Sequence, residues 1–224
     1  MSRFNIFTKK YKNSYSQCGE DMIVDYIFRL RGVKYPSYID IGSSDPYKLS
    51  NTAFFYEKGC SGLNIEPNMR LYKLLVKHRS KDINLNFAIG EKCEILKFYI
   101  FKDHTLSTFS FEEYSKLISA GAKLDCIQEV EVQTLNYVME KYLNGLFPDF
   151  MSLDVEGFDF KILQSINYDY SRPKVICVES AEYSPRGTGI RRADLIHFLE
   201  GKNYYEYANT NLNAIMVDRN FWFV

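Results

Sequence analysis

Four short apolar runs in this 224-residue chain contain or lead into a carboxylate: residues 38–42 hold Asp40, 62–66 end in Glu66, 149–154 in Asp154 and 174–179 in Glu179. Carboxylates can pair with a cationic ligand group, accept hydrogen bonds from neighbouring hydroxyls, or take a proton from a nucleophile. Glu66 ends the second run, where an acid can accept from both hydroxyls of a ribose. Asp154 and Glu156 stand two apart at a strand-to-helix junction, which suits a general base or a Mg²⁺ ligand pair. Asp154 with Glu179 is a second pair of oxygen donors for Mg²⁺. Asp159 and His104 are further candidate bases, the imidazole because it titrates near neutral pH. Each has a plain structural alternative. A strand-end acid can cap the next helix, Glu156 can sit at a helix N-terminus, and His104 can be a surface histidine. His78 and His197 fall in helical patterns and read as surface or helix-end residues.

For acids so far apart in sequence to meet, the runs must be strands of one sheet whose carboxyl ends share a crevice. The hydrophobic pattern predicts that arrangement. Helices are expected over 20–31, 51–58, 69–78, 112–119, 135–143, 158–166 and 192–199. Besides the four acid-bearing strands, others are expected over 83–89, 95–101, 130–134, 204–207 and 214–217. The alternation gives an α/β, doubly wound, mostly parallel sheet with helices on both faces and an antiparallel C-terminal strand. With 46% hydrophobic residues the chain can bury one core, so residues 1–224 are expected as one domain. It would carry an N-terminal helical extension at about 1–36 and an insertion at about 94–134.

The first loop, Asp40-Ile41-Gly42-Ser43-Ser44-Asp45, lacks the GxGxxG pattern that cradles a pyrophosphate, and no GxxxxGK[ST] loop occurs in the chain. This weakens NAD, ATP and an oxidoreductase reading. A glycine after a strand acid lets backbone approach an uncharged part of a ligand while the acid faces its cationic end. S-adenosylmethionine, with an ammonium and a sulfonium, fits that loop better than a dinucleotide. Gln17, Glu20 and Asp21 form a polar group larger than a helix cap needs, which places Gln17 at the active site and the acids partly in capping.

Lys plus Arg and Asp plus Glu number 28 each, so no basic excess suggests nucleic acid or an anionic membrane as partner. Arg186, Arg191 and Arg192 could meet a small anionic substrate or be a solvated face. Cys18, Cys60, Cys93, Cys126 and Cys177 are scattered and odd in number, as in a reduced cytoplasmic protein. The first fifteen residues have no continuous apolar segment, so neither signal peptide nor membrane span is expected. Tyr47, Tyr114 and Tyr183 are loop aromatics that could stack on a sugar ring.

Several of these segments together resemble the FkbM family of methyltransferases: 16–21 (SQCGED), 40–46 (DIGSSDP) with 50–52 (SNT), 65–68 (IEPN), 86–90 (NFAIG), 133–135 (QTL) and 153–157 (LDVEG) with Asp159. The order matches as well, from about residue 16 to the end. The resemblance implies a Rossmann-like class I methyltransferase fold, S-adenosylmethionine as donor, and a hydroxyl acceptor on a sugar or natural product. It implies that Asp40 and Gly42 border the methionine part, Glu66 the ribose and Ala88 the adenine. The matching motifs bring Gln17, Ser43, Ser44, Asn51, Thr52 and Pro67 to the same cofactor site. Ser43 and Ser44 replace residues that are often Ala-Asn or Ala-His in the family. The expectation is an O-methyltransferase acting on a small-molecule or saccharide acceptor, in surface glycan (capsule) biosynthesis. The alternatives are a non-catalytic ligand-binding or assembly module and methylation of a phosphorylated metabolite. Asp154, Glu156, Glu179, His104 and Gln17 are the expected catalytic group.

Overall fold

The computed structural model describes residues 13–155, 157–181 and 189–223. Its main sheet takes four apolar runs as parallel neighbours: β1 (Tyr38–Ile41), β2 (Gly62–Ile65), and, after an excursion in the chain, β7 (Phe150–Leu153) and β8 (Val175–Glu179). With β3 (Ile83–Leu85), β9 (Tyr204–Asn209) and β10 (Asn213–Asp218) they form seven strands in the order β3-β2-β1-β7-β8-β10-β9. The pairs β3–β2, β2–β1, β1–β7 and β7–β8 are parallel, and β10 runs antiparallel to both its neighbours.

Strand side chains alternate between two faces, and both are apolar. Ile39, Ile41, Met151, Leu153, Ile176, Val178 and Met216 pack under α5 (Leu135–Leu143), α6 (Asp159–Gln164) and α7 (Ala193–Gly201). Tyr38, Phe150, Val175, Cys177, Ile215 and Val217 face α1 (Glu20–Leu30), α2 (Ala53–Glu57) and α8 (Arg219–Trp222). This is the expected Rossmann-like, doubly wound α/β fold, with Cys177 in the core and Cys18 exposed. α3 (Met69–His78) starts where the Asn68 side chain accepts from the Arg70 N–H at 3.0 Å.

The expected strand over 83–89 is two strands in two sheets. After β3 the chain turns at Asn86, whose amide donates to the carbonyls of Glu66 and Pro67 at 2.8 and 3.0 Å. β4 (Ala88–Gly90) then leaves the main sheet and pairs with β6 (Leu124–Thr134), which also pairs with β5 (Glu94–Phe101). β6 begins six residues before the expected start at 130, because antiparallel pairing with β5 holds its charged outer half. A 3₁₀ turn (His104–Leu106) and α4 (Phe111–Ser119) complete this second unit. One side of its sheet packs Ala88, Phe98, Ile100, Val130 and Val132 together. Residues 1–12 lie outside the described residues, and the helical part of the expected extension is α1.

Candidate functional site

Strand register decides which residues meet at the carboxyl edge. Ile41 pairs with Ile65 on one side and Leu153 on the other, and Leu153 pairs with Val178. The next residues, Glu66, Gly42, Asp154 and Glu179, therefore form one row across four adjacent strands, at a spacing of about 4.8 Å per strand. Gly42 is the member without a side chain, and it needs to be. Its φ is +83°, and a Cβ there would lie 1.9 Å from the Asp154 carbonyl oxygen. The row floors a cavity of about 380 Å³, within the size range of small-ligand sites.

Glu66 is held by both oxygens: the Ser44 N–H donates to one at 2.8 Å and the Asn68 N–H to the other at 2.7 Å. Each oxygen keeps a further lone pair for a ligand hydroxyl. Burial pushes its carboxyl up to about 7, against the pull of those two amides. Asp40 is buried, and burial raises its carboxyl while the Thr52 and Ser152 hydroxyls and the Arg79 charge lower it. Thr52 Oγ1 donates to Asp40 at 2.6 Å, and Asn51 donates to the Ser152 hydroxyl at 3.2 Å.

Asp154 opens onto the cavity. Its carboxyl is raised well above the ordinary range by the surrounding protein first, then by the charges of Glu179, Asp159, Asp40 and Glu66. Thus all four strand-end acids of the sequence reading line one cavity, together with Gln17, Gly42, Ser43, Ser44, Asn51, Pro67, Ala88 and His104. His104 is half-buried, and its Nδ1 lies 3.2 Å from Ser44 Oγ, next to the Glu66 anchor.

Other expected residues stand elsewhere or are already engaged. Thr52 does not line the cavity: it is fully buried behind Asp40 and accepts from Arg79 at 3.1 Å. The Ser43 hydroxyl donates to the Asp40 carbonyl at 2.8 Å and accepts from the Ile65 N–H at 3.1 Å, so it ties β1 to β2. Asp159 is buried and accepts from the N–H groups of Val155 and Gly157 at 3.2 and 3.3 Å, which makes it a brace for the loop after β7 rather than a cavity base. Glu20 accepts from Cys18 N–H, Thr210 Oγ1 and Asn213 Nδ2, and so docks the segment bearing Gln17 on the turn that follows β9. Tyr47 packs near His78, Tyr114 stacks on Tyr99, and neither lines the cavity. Arg191 pairs with Glu206 and Arg192 with Asp194, both away from the cavity lining. Glu156, Tyr183 and Arg186 lie outside the described residues.

Sequence reasoning missed two groups. Arg79 reads as a basic residue near a helix end, favourable to the dipole, yet it is 1% exposed. It donates to Asp82, Tyr38 OH, Thr52 and the Pro46 carbonyl. No local signal marks that burial. The second group is an apolar wall of Leu96, Phe98, Phe109, Val132 and Phe158, most of it supplied by the second sheet unit. Here the alternation of Leu96 and Phe98 along β5 was a usable signal. Six carboxylates line the cavity (Asp40, Glu66, Glu91, Glu94, Asp154 and Glu179), and no Lys or Arg does so among the described residues.

The strand order, with an antiparallel strand inserted next to the sheet's edge and a ligand-sized cavity over β1, β2 and β7, defines a class I methyltransferase fold. The FkbM methyltransferase domain model matches residues 40–207, most of the chain, and the chain belongs to that family. Solved structures similar to it include a Staphylococcus aureus chain assigned as a caffeoyl-CoA O-methyltransferase (TM-score 0.47, 11% identity, covering 92% of this chain and 85% of that one). Another is a Klebsiella pneumoniae chain assigned as an O-methyltransferase (0.42, 10%, 93% and 83%). A third is a T. thermophilus 16S rRNA methyltransferase in complex with AdoMet and guanosine (0.42, 10%, 95% and 44%). Comparison with curated proteins gave no match. Among the described residues no helix is long and apolar enough to cross a membrane, and no group of three or more His, Cys, Asp or Glu could hold a metal ion.

Proposed function

We propose that the chain binds S-adenosylmethionine across the Glu66–Gly42–Asp154–Glu179 row and transfers its methyl group to a hydroxyl of a small acceptor, a saccharide or related metabolite. The observation that carries this reading is the row itself: acids on both sides of a glycine whose missing side chain keeps the floor open, in a cavity rich in carboxylates. In this reading Glu66 accepts from the ribose hydroxyls, using the lone pairs left by its two backbone donors. Asp40 and the loop 42–44 border the methionine part. The adenine lies against Ala88 and the apolar wall of Phe98, Val132 and Phe158.

The acceptor enters at the end walled by Gln17, Leu212, Asn213 and Glu179. Its oxygen approaches along the S–C axis, so positioning supplies much of the rate. Asp154 is the base. It stands in the row between Gly42 and Glu179, and its raised carboxyl is a better proton acceptor than an ordinary aspartate once ionised. His104 belongs to the ribose side, where it supports Ser44. Asp154 and Glu179 are also the two oxygen donors a Mg²⁺ ion would meet, so binding is measured with Mg²⁺ and with a chelator. A surface glycan, such as a capsule, is the acceptor class the family resemblance favours.

Calorimetric titration with S-adenosylhomocysteine tests the reading, with NAD and ATP as controls and Glu66→Ala as the paired variant. Micromolar binding weakened by the substitution is expected. Folded wild-type protein that binds none of the product would overturn it.

A further inference from the structure

Thr52 lies in one of the motifs that carry the family resemblance, yet it is fully buried and does not line the cavity. Its hydroxyl has one proton to give. Arg79 Nη2 donates to Thr52 Oγ1 at 3.1 Å, and Thr52 Oγ1 donates to Asp40 Oδ2 at 2.6 Å. Ser50 Oγ makes a longer contact with the same oxygen, 3.4 Å. The two short bonds run in one direction, from a guanidinium to a carboxylate, and each has a charged group at one end, which makes them the stronger kind.

Arg79 is itself fixed on its other sides. Its Nε donates to Asp82 and its Nη2 to Tyr38 OH, both at 2.9 Å. Asp82 is held in turn by the Gly62 N–H and the Asn64 amide, each at 2.9 Å. A buried guanidinium needs a partner, and Asp82 supplies it. The remaining bonds reach toward the cavity. Nη1 donates to the Pro46 carbonyl at 3.2 Å, at the far end of the first loop. One side chain therefore braces that loop and, through Thr52, the cavity-lining carboxylate just before it. Arg79 and Thr52 both lower the Asp40 carboxyl against the effect of burial.

We propose that Arg79, acting through Thr52, is a positioning residue for the methyl donor: the relay aims the Asp40 carboxylate at the ammonium group of the donor's methionine part. Neither Arg79 nor Thr52 touches the ligand. The adenosine end is held separately, by Glu66 and the wall around Ala88, so the relay serves one end of the ligand only. The inference rests on the donor reading above.

The test is calorimetry on the full chain with two ligands: S-adenosylhomocysteine, and 5′-methylthioadenosine, which has the adenosine and a thioether but no ammonium. Thr52→Val removes the hydroxyl at nearly constant volume and leaves Arg79 its bonds to Asp82, Tyr38 and Pro46. It should weaken S-adenosylhomocysteine binding by about 10-fold and 5′-methylthioadenosine binding by less than about 2-fold. Thr52→Ser keeps the hydroxyl and should bring S-adenosylhomocysteine back to within about 3-fold of wild type. Arg79→Met with Asp82→Asn breaks the relay at its other end and should show the same split between the ligands, so either variant alone decides the matter should the other fail to fold. Equal weakening of the two ligands, wild-type affinity for S-adenosylhomocysteine in Thr52→Val, or no recovery in Thr52→Ser would overturn the inference while leaving the donor site intact. A folded wild-type protein that binds neither ligand would overturn the donor reading, and the inference with it.

Discussion

Replacing Gly42 by alanine should be strongly destabilising, and the size of the loss can be worked from two separate terms. The backbone there has φ +83°, which costs an L-residue roughly 1–2 kcal/mol. The new Cβ would sit 1.9 Å from the Asp154 carbonyl oxygen, 3.0 Å from its carbon and 3.5 Å from Val155 Cγ1. Relieving that overlap means pushing β1 from β7 where the Asp154 N–H donates to the Ile41 carbonyl at 3.0 Å. Overpacking of this kind adds about 1–3 kcal/mol. Gly59→Ala is the matched control: φ is +96°, but nothing lies within 4 Å of its added Cβ, so it reports the conformational term alone. Urea unfolding should therefore show a loss of roughly 2–5 kcal/mol for Gly42→Ala and roughly 1–2 kcal/mol for Gly59→Ala. In thermal melts the first corresponds to roughly 4–20 °C. S-adenosylhomocysteine binding should be lost in Gly42→Ala and kept in Gly59→Ala. Equal destabilisation of the two variants, or wild-type binding by Gly42→Ala, would refute the reasoning that the row is set by contact at Gly42.

Three further outcomes follow from the surroundings of the row. Arg79→Met leaves Asp82 buried without its cation and should cost about 3–5 kcal/mol in urea unfolding, with part recovered by adding Asp82→Asn. Glu66 has a folded-state value of about 7 against an ordinary 4.5, so the stability from its proton is complete below about pH 4.5 and lost as pH rises through about 7. Between about pH 4.5 and 8 the wild type should thus lose about 1–3 kcal/mol relative to Glu66→Gln. Over the same interval calorimetric affinity for S-adenosylhomocysteine should rise as the carboxylate ionises. His104→Ala removes the contact with Ser44 Oγ and should weaken that affinity by roughly 2- to 10-fold with little change in melting temperature.

The elements legible in the sequence are those whose signals are local. α3 and α5 match their expected bounds because helical periodicity is bracketed by caps, Asn68 accepting from Arg70 and Thr134 from Tyr137. The acid-bearing strands were legible because strands buried on both faces read as unbroken apolar runs. What failed was long-range. The outer half of β6 carries Asp125, Glu129 and Glu131 and shows strand character only through its pairing with β5. The division between β3 and β4 rests on Asn86 reaching the carbonyls of Glu66 and Pro67, about twenty positions back. His104 was expected in the site as a base, but its place beside Ser44 is set only when the second sheet unit folds against the first loop. Ser43 and Thr52 carry hydroxyls in the right motifs, but only the folded neighbours show those hydroxyls committed to Ile65, Asp40 and Arg79.

Arg79 also explains why the acids of the cavity are not equivalent. It lies behind β1, fixed by Asp82 and Tyr38, and reaches Thr52, whose hydroxyl in turn donates to Asp40. Its positive charge lowers the Asp40 carboxyl against the effect of burial. Asp40 is thereby compensated from within the protein. Asp154, which follows β7 on the other side of β1 from β2, has no such help from Arg79, and the named influences on it all raise its carboxyl.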